Sequence, residues 1–182
     1  MKRIAVITVG ITHSGKTTFA KSLERHLPDS VVVDRDNLAE FINAHYSVLV
    51  PKHGTNTLKN VLTRAIVDYV INQTHLHIIQ CSANRARQGR LDLLQRVHQK
   101  GLISVIVNFE IPDRILRERI AASKRNTSVI RTRSNFEEVL DMQQTDSDGA
   151  TPTEGEAHHL FAITHGGEVQ SVIEGIMKIA QS

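Results

Sequence analysis

The chain is 182 residues long, 40% hydrophobic and 23% charged, which suits one α/β domain with a core of ordinary size and makes a second independent domain unexpected. A single cysteine, Cys81, excludes an internal disulfide and a multi-cysteine zinc site, and the ten histidines lack the i, i+4 helical spacing of a metal centre. The formal charge of +3 is small, and the chain has neither a charged leader with an apolar core nor an apolar run near the ~20 residues of a bilayer span, so a cytoplasmic protein outside the membrane is expected.

The apolar run Ile4-Ala-Val-Ile-Thr-Val9 predicts a first strand. Gly10-Ile-Thr-His-Ser-Gly-Lys-Thr17 follows directly and fits G-x-x-x-x-G-K-[ST], with Phe19, Ala20, Leu23 and Leu27 as the buried stripe of a helix behind it. Val31-Val-Val33 is a short second strand ending at Asp34-Arg-Asp36. A short helix over Leu38–Tyr46 comes next, broken around Pro51-Lys-His-Gly54. Leu58, Val61, Leu62, Ala65, Ile66 and Tyr69 then recur at the spacing of one helix face, which predicts a longer helix with those residues in the core. Leu76-His-Ile-Ile79 and Leu102–Val107 are the third and fourth strands, separated by a helix from about Ala86 to Lys100 that Gly101 stops.

Pro112 fits the first turn of a helix that carries Ile115, Leu116 and Ile120 inward. Residues 124–134 are polar and basic with little periodicity, the pattern of a mobile loop. A helix over Asn135–Met142 follows, then an apolar-poor linker over 143–156 with Gly149, Pro152 and Gly155. A fifth strand at His159–Thr164, a turn at Gly166-Gly167 and a closing helix buried through Val169, Val172, Ile173, Ile176 and Ala180 complete the chain. Strands alternating with helices predict an α/β fold, a five-stranded parallel sheet covered on both faces, within a single domain spanning residues 1–182.

Backbone N–H groups of a glycine-rich loop form an anion cradle, and the helix behind it points its positive end at the same charge. The expected phosphate-binding set for ATP or another nucleoside triphosphate is Gly10, Thr12, His13, Ser14, Gly15, Lys16, Thr17 and Thr18. Lys16 is expected to reach the β- and γ-phosphates and the Thr17 hydroxyl to ligate Mg²⁺. Ligands of open parallel sheets sit beyond the carboxyl ends of the strands, which adds Asp34 to Asp36, Cys81 to Asn84, Glu110 and the basic segment after it. Of Asp34 and Asp36, one can deprotonate an acceptor hydroxyl and the other can cap the next helix. Cys81 is expected to be a small buried residue at a strand end rather than a reactive thiol.

The third strand, Ile78-Ile79-Gln80-Cys81-Ser82, lacks the acid that often holds Mg²⁺ there, which argues against a motor ATPase or switch GTPase. Asn84 and Arg90 are candidates to contact an acceptor. Charge is uneven: seven basic residues and one acid, Glu118, lie between Arg114 and Arg133, and seven acids without Lys or Arg lie between Glu137 and Glu156. Arg119, Lys124, Arg125, Arg131 and Arg133 together can close over a triphosphate, because a guanidinium presents a planar fork of donors to phosphate. Seven aromatics and no Trp offer little to stack on bases, so a nucleic-acid partner is possible but not favoured.

The loop from Gly10 to Thr18, the pair Arg35-Asp36, Cys81-Ser-Ala-Asn84 followed by Arg90, Pro112 with Glu118-Arg119, the Lys124-Arg125 segment and Pro152-Thr-x-Glu together resemble the polynucleotide 5′-hydroxyl kinase and zeta-toxin-like group of P-loop kinases. The resemblance implies a three-layer P-loop NTPase fold with strand order 2-3-1-4-5 and an arginine-bearing lid over about 124–134. It implies Asp36 as the acceptor-activating base, with Lys16, Arg119 and Arg125 stabilising transferred charge and ATP and Mg²⁺ as cofactors. Two positions depart from that group: Ala39 stands where the polynucleotide kinases carry an arginine that grips the acceptor phosphate, and Ser82 stands in place of an aspartate. The expectation is a kinase moving the γ-phosphoryl group to a hydroxyl of a small molecule or nucleic-acid end. The alternative is a non-catalytic or regulatory ATP- or GTP-binding module.

Overall fold

The computed structural model describes residues 2–52, 54, 56–124, 130 and 135–182. Five runs of β-formers pair side by side as β1 (Ile4–Val9), β2 (Ser30–Asp34), β3 (His77–Cys81), β4 (Ile103–Phe109) and β5 (His159–Ile163). All pairings are parallel and the order is β2-β3-β1-β4-β5, as expected. Every residue of β1 is buried because it is the middle strand with helices on both faces. Its alternate side chains divide the core in two. Ile4 and Val6 face α1 (Lys16–His26) and α7 (Val169–Gln181), whereas Ala5, Ile7 and Val9 face α3 (Thr57–Gln73) and α4 (Arg87–Gln99).

α2 (Arg35–His45) begins on the last residue of β2, whose side chain caps it. α4 stops as its sequence requires. Gly101 takes a left-handed φ of 70°, its N–H donates to the His98 carbonyl at 2.9 Å, and the Leu102 N–H donates to Val97 at 3.1 Å, a Schellman closure. α5 (Asp113–Ala121) starts after Pro112, one position later than the sequence suggests, and buries Leu116 with Ile115 and Ile120 packed beside it. α6 spans Phe136–Thr145.

Three sequence expectations are corrected. α3 forms, but it buries Thr63, Val67, Val70 and Ile71 and leaves Val61 61% and Tyr69 63% exposed, with Ala65 and Ile66 also on the exposed side. This helix is apolar on two faces, and its carboxyl-terminal half is the part that lies on the sheet. Position in the layer, not the cleaner apolar stripe, decides which face is buried. The segment 143–156 is not a plain linker either. α6 continues through Thr145, Ala86 pairs with Gly149 in an antiparallel bridge, and the Ala150 N–H donates to Arg85 at 3.1 Å.

Arg90 explains that attachment and is itself a correction, because it does not contact the candidate site. It is 1% exposed, and it donates through Nε and Nη2 to Glu156 at 3.0 and 3.2 Å and through Nη1 to the carbonyls of Asn84, Arg85 and Ala150. Burial alone would raise the Glu156 pKa, but the hydrogen bonds and charge of Arg90 outweigh it and hold the carboxyl below its usual range. Breaking a buried pair from one side leaves the other charge uncompensated, so Glu156→Gln should lower the unfolding free energy in urea titrations by about 3 kcal/mol. A depressed folded pKa gives stability that is present above the unfolded value of 4.5 and lost as pH falls through the folded one. The gap between wild type and variant should therefore shrink below about pH 4.5.

Candidate active site

Gly10 leaves β1 at φ 150°, so close to β4 that a Cβ would lie 2.9 Å from the Cβ of Phe109. Only glycine allows the chain to turn there. The loop ends at Gly15, which precedes α1 with φ 102°, and no side chain caps that helix or places an acid in its first turn. The first-turn N–H groups and the positive end of α1 are therefore left for an anion. Lys16 Nζ lies across the loop on the Ile11 carbonyl at 2.5 Å and the Ser14 hydroxyl at 3.0 Å.

A cavity of about 1010 Å³ opens above the loop. Of the expected set, Thr12, His13, Ser14, Gly15, Lys16, Thr17, Thr18, Asp36 and Arg119 line it, and Gly10 shapes the backbone without lining it. Arg119 reaches from α5 and donates to the His13 carbonyl at 3.1 Å, which fixes a guanidinium at the loop's rim. Arg125, Arg131 and Arg133 of the expected lid lie outside the described residues; Lys124 is exposed and not part of the lining, and Glu110 is also outside it. Asn84 is tied to the Thr8 carbonyl at 2.9 Å.

The ends of β2 and β3 meet the loop through Asp34. This carboxylate is 6% exposed, and its Oδ2 accepts the Thr17 hydroxyl at 3.1 Å while its Oδ1 accepts the Asp36 N–H at 2.8 Å. One side chain thus caps α2 and fixes the phosphate-loop threonine. The Cys81 thiol lies 3.7 Å from the Thr17 hydroxyl, and burial together with the Asp34 charge pushes its pKa up to about 12. As expected of it, Cys81 is buried at the end of a strand.

Sequence reasoning missed Gln143. Its Oε1 accepts the Thr12 N–H at 2.7 Å, so α6 braces the loop from outside the motif. His13 also meets α6, with its ring edge-on to Phe136 at 4.8 Å. Neither contact has a local sequence signal, since each joins residues more than a hundred positions apart.

A strand, a glycine-rich loop and a helix at the middle of a parallel sheet of order 2-3-1-4-5 define a small P-loop kinase-like domain. The chain belongs to the AAA_33 family, described as an AAA domain, whose model matches residues 6–145. It is similar to mouse nicotinamide riboside kinase 1 (Mus musculus), 49% identical over 37 residues that make up 20% of this chain and 19% of that protein. Solved structures with the same fold include Chaetomium thermophilum Kti12 in complex with ADP-AlF3, at TM-score 0.65 and 17% identity over 97% of this chain and 98% of the other. The Mycobacterium tuberculosis APS kinase in complex with AMPPNP and APS also aligns, at TM-score 0.63 and 16% identity over 100% and 99% of the two chains.

Two outcomes check this geometry. With a thiol pKa of about 12, roughly one Cys81 in ten thousand is ionised at pH 8, so a chromogenic disulfide reagent should label the native protein very slowly and the urea-unfolded protein within minutes. Gly15→Ala forces a side chain into a left-handed backbone conformation, which costs about 1–3 kcal/mol. It should lower the midpoint of thermal unfolding and disrupt the loop's anion cradle.

Proposed function

We propose that this chain is an ATP- and Mg²⁺-dependent kinase that moves the γ-phosphoryl group to a hydroxyl of a small molecule. The observation that carries the proposal is the bond sequence from Thr17 through the Asp34 carboxylate to the Asp36 N–H, which joins the phosphate loop to the start of α2 beside one cavity. In that reading Lys16 and the loop hold the β- and γ-phosphates, and Arg119 offsets charge on the group being transferred.

The donor set suits Mg²⁺. The Thr17 hydroxyl and the Asp34 carboxylate are hard oxygens, and Cys81 beside them remains a neutral thiol that competes poorly for a hard cation. Bound with the phosphates, Mg²⁺ supplies charge neutralisation at their oxygens. An aspartate at the end of the second strand therefore stands in for the acid that the third strand lacks.

Asp36 is the acceptor base. Both carboxylates line the cavity; Asp34 accepts the Thr17 hydroxyl and the Asp36 N–H beneath the loop, and Asp36 stands on the first turn of α2, nearer the acceptor side. An acceptor hydroxyl held there gives its proton to the Asp36 carboxylate as its oxygen bonds to the γ-phosphorus, and the bond to the bridging oxygen breaks to release ADP. One feature favours a small acceptor over a polynucleotide: Ala39 is buried on α2, where the polynucleotide kinases carry an arginine that grips the acceptor phosphate.

Transfer of labelled phosphate from ATP to a panel of hydroxyl compounds tests the reading. Asp36→Asn should lower kcat by about 10²–10⁴ with ATP affinity retained in calorimetry. Full activity in that variant would remove Asp36 from its role. Lys16→Ala should weaken ATP binding or turnover by at least about tenfold, and unchanged values for both would contradict the assignment of the loop. Nucleotide binding without transfer to any compound of the panel would favour a nucleotide-binding module instead.

A further inference from the structure

A second cavity, of about 440 Å³, lies on the opposite face of the sheet from α1, with β3 as its floor and α3 and α4 as its sides. It shares two residues with the larger cavity, Arg35 and Asn60, so the two spaces meet at one wall. That wall is built. Arg35, the first residue of α2, donates from Nη1 to the Ser82 hydroxyl at 3.3 Å and from Nη2 to Asn60 Oδ1 at 2.9 Å. Both partners are neutral, and Arg35 has no carboxylate partner among the described residues. The other arginines lining the cavity differ in this, since Arg64 and Arg96 both pair with Asp68.

The floor holds a second unexplained group. Gln80 stands one residue before the end of β3, 4% exposed, with its side chain on the face that otherwise carries Ile78 and the apolar cluster of α3 and α4. Its backbone is engaged in a strand paired on both sides, but its side-chain Oε1 is buried with no hydrogen-bond partner among the described residues. Apolar packing would be served by another isoleucine there. A glutamine amide at the floor of a polar cavity can turn about its last bond to offer either an acceptor or a donor to a bound molecule.

We infer that the second cavity is the distal compartment of the acceptor site, and that it takes the anionic end of a hydroxyl compound (a carboxylate, phosphate or sulfate), bonded by Arg35 at the wall and by Gln80 at the floor. This rests on the kinase reading and narrows it. The reacting hydroxyl lies at Asp36 and the anion lies past Arg35, so Arg35 selects acceptors long enough to span both cavities. A planar guanidinium already oriented by Ser82 and Asn60 loses little freedom on binding an oxyanion. Among the described residues Asp92 is the one acid in the lining, and its carboxylate is turned to Gln88, which donates to it at 2.7 Å; Arg64 and Arg96 share Asp68, so Arg35 is the lining cation without a carboxylate partner.

Matched acidic and neutral probes of extended length test the inference: gluconate against sorbitol, and ribose 5-phosphate against ribose. Each is titrated by calorimetry into the full chain with AMPPNP and Mg²⁺ present, so that binding is read without transfer. The expected result is that at least one acidic member binds tenfold or more tightly than its neutral twin, roughly the advantage of a charge-assisted, forked contact. In Arg35→Gln that preference should fall to within about threefold with AMPPNP affinity unchanged, and Arg35→Lys, which keeps the charge but loses the fork, should be intermediate. Gln80→Met, similar in length, should weaken the preferred acid severalfold, with the melting curve showing that the variant is folded. Equal binding of all twins, a preference that survives Arg35→Gln, no binding by any acidic probe, or an unaltered affinity in Gln80→Met would overturn the assignment. Labelled-phosphate transfer separates the two readings: transfer without preference for acids leaves the kinase and removes the anion compartment, whereas an Arg35-dependent preference without transfer does the reverse.

Discussion

Burial of β1 on both faces is the constraint from which the rest of this structure follows. A strand in that position can present only small or apolar side chains along its length, and Ile4 to Val9 satisfy that with Thr8 as the one polar member. Thr8 is accommodated because its hydroxyl bonds to the Ser82 carbonyl at 3.2 Å. With β1 in the middle, the chain runs to the edge at β2 and back to β3 on one side, and then outward through β4 and β5 on the other. The carboxyl ends of four strands converge where that direction changes, which is where ligands of open parallel sheets bind. Gly10 lies at that point, and its close approach to Phe109 seats the loop directly over the sheet.

Asp34 converts that convergence into a site. A carboxylate 6% exposed needs compensation, and here it comes from two oriented donors, the Thr17 hydroxyl and the Asp36 N–H. Its negative charge is felt next door, where it helps to hold the Cys81 thiol neutral. The same residue ends β2, caps α2 and orients the loop threonine, so the positions of Arg35 and Asp36 on the first turn of α2 follow from it.

The sequence made the donor side of this arrangement legible because that side is written in backbone rules. Glycines at φ 150° and 102°, a strand before them and a helix after them leave a fixed pattern at fixed spacing. Five strands and the stop of α4 at Gly101 were readable for the same reason, since a short continuous apolar run and a left-handed closure both have local causes. α3 was readable as a helix but not as to its buried face, because Val61 and Tyr69 on one side are as apolar as Val67 and Val70 on the other. Long-range partnerships left no mark at all. Arg90 resembled a site residue until Glu156, sixty-six positions away, claimed it, and Gln143 resembled a linker residue although it braces the loop at Thr12.

The two faces of the sheet therefore divide the work unequally. In the proposed reading the α1 face supplies phosphate recognition through main-chain N–H groups and a helix end, which any sequence satisfying the loop's stereochemistry can provide. The α3–α4 face supplies only side chains, Asn60, Gln80 and their neighbours, with Arg35 set between the two faces by bonds to one residue of α3 and one beyond β3. Side chains on a helix face can be exchanged without disturbing the fold, whereas Gly10 and Gly15 cannot. In the proposed reading, acceptor specificity varies through residues such as Arg35 and Gln80 on a frame whose fold is shared with solved structures at 16–17% identity.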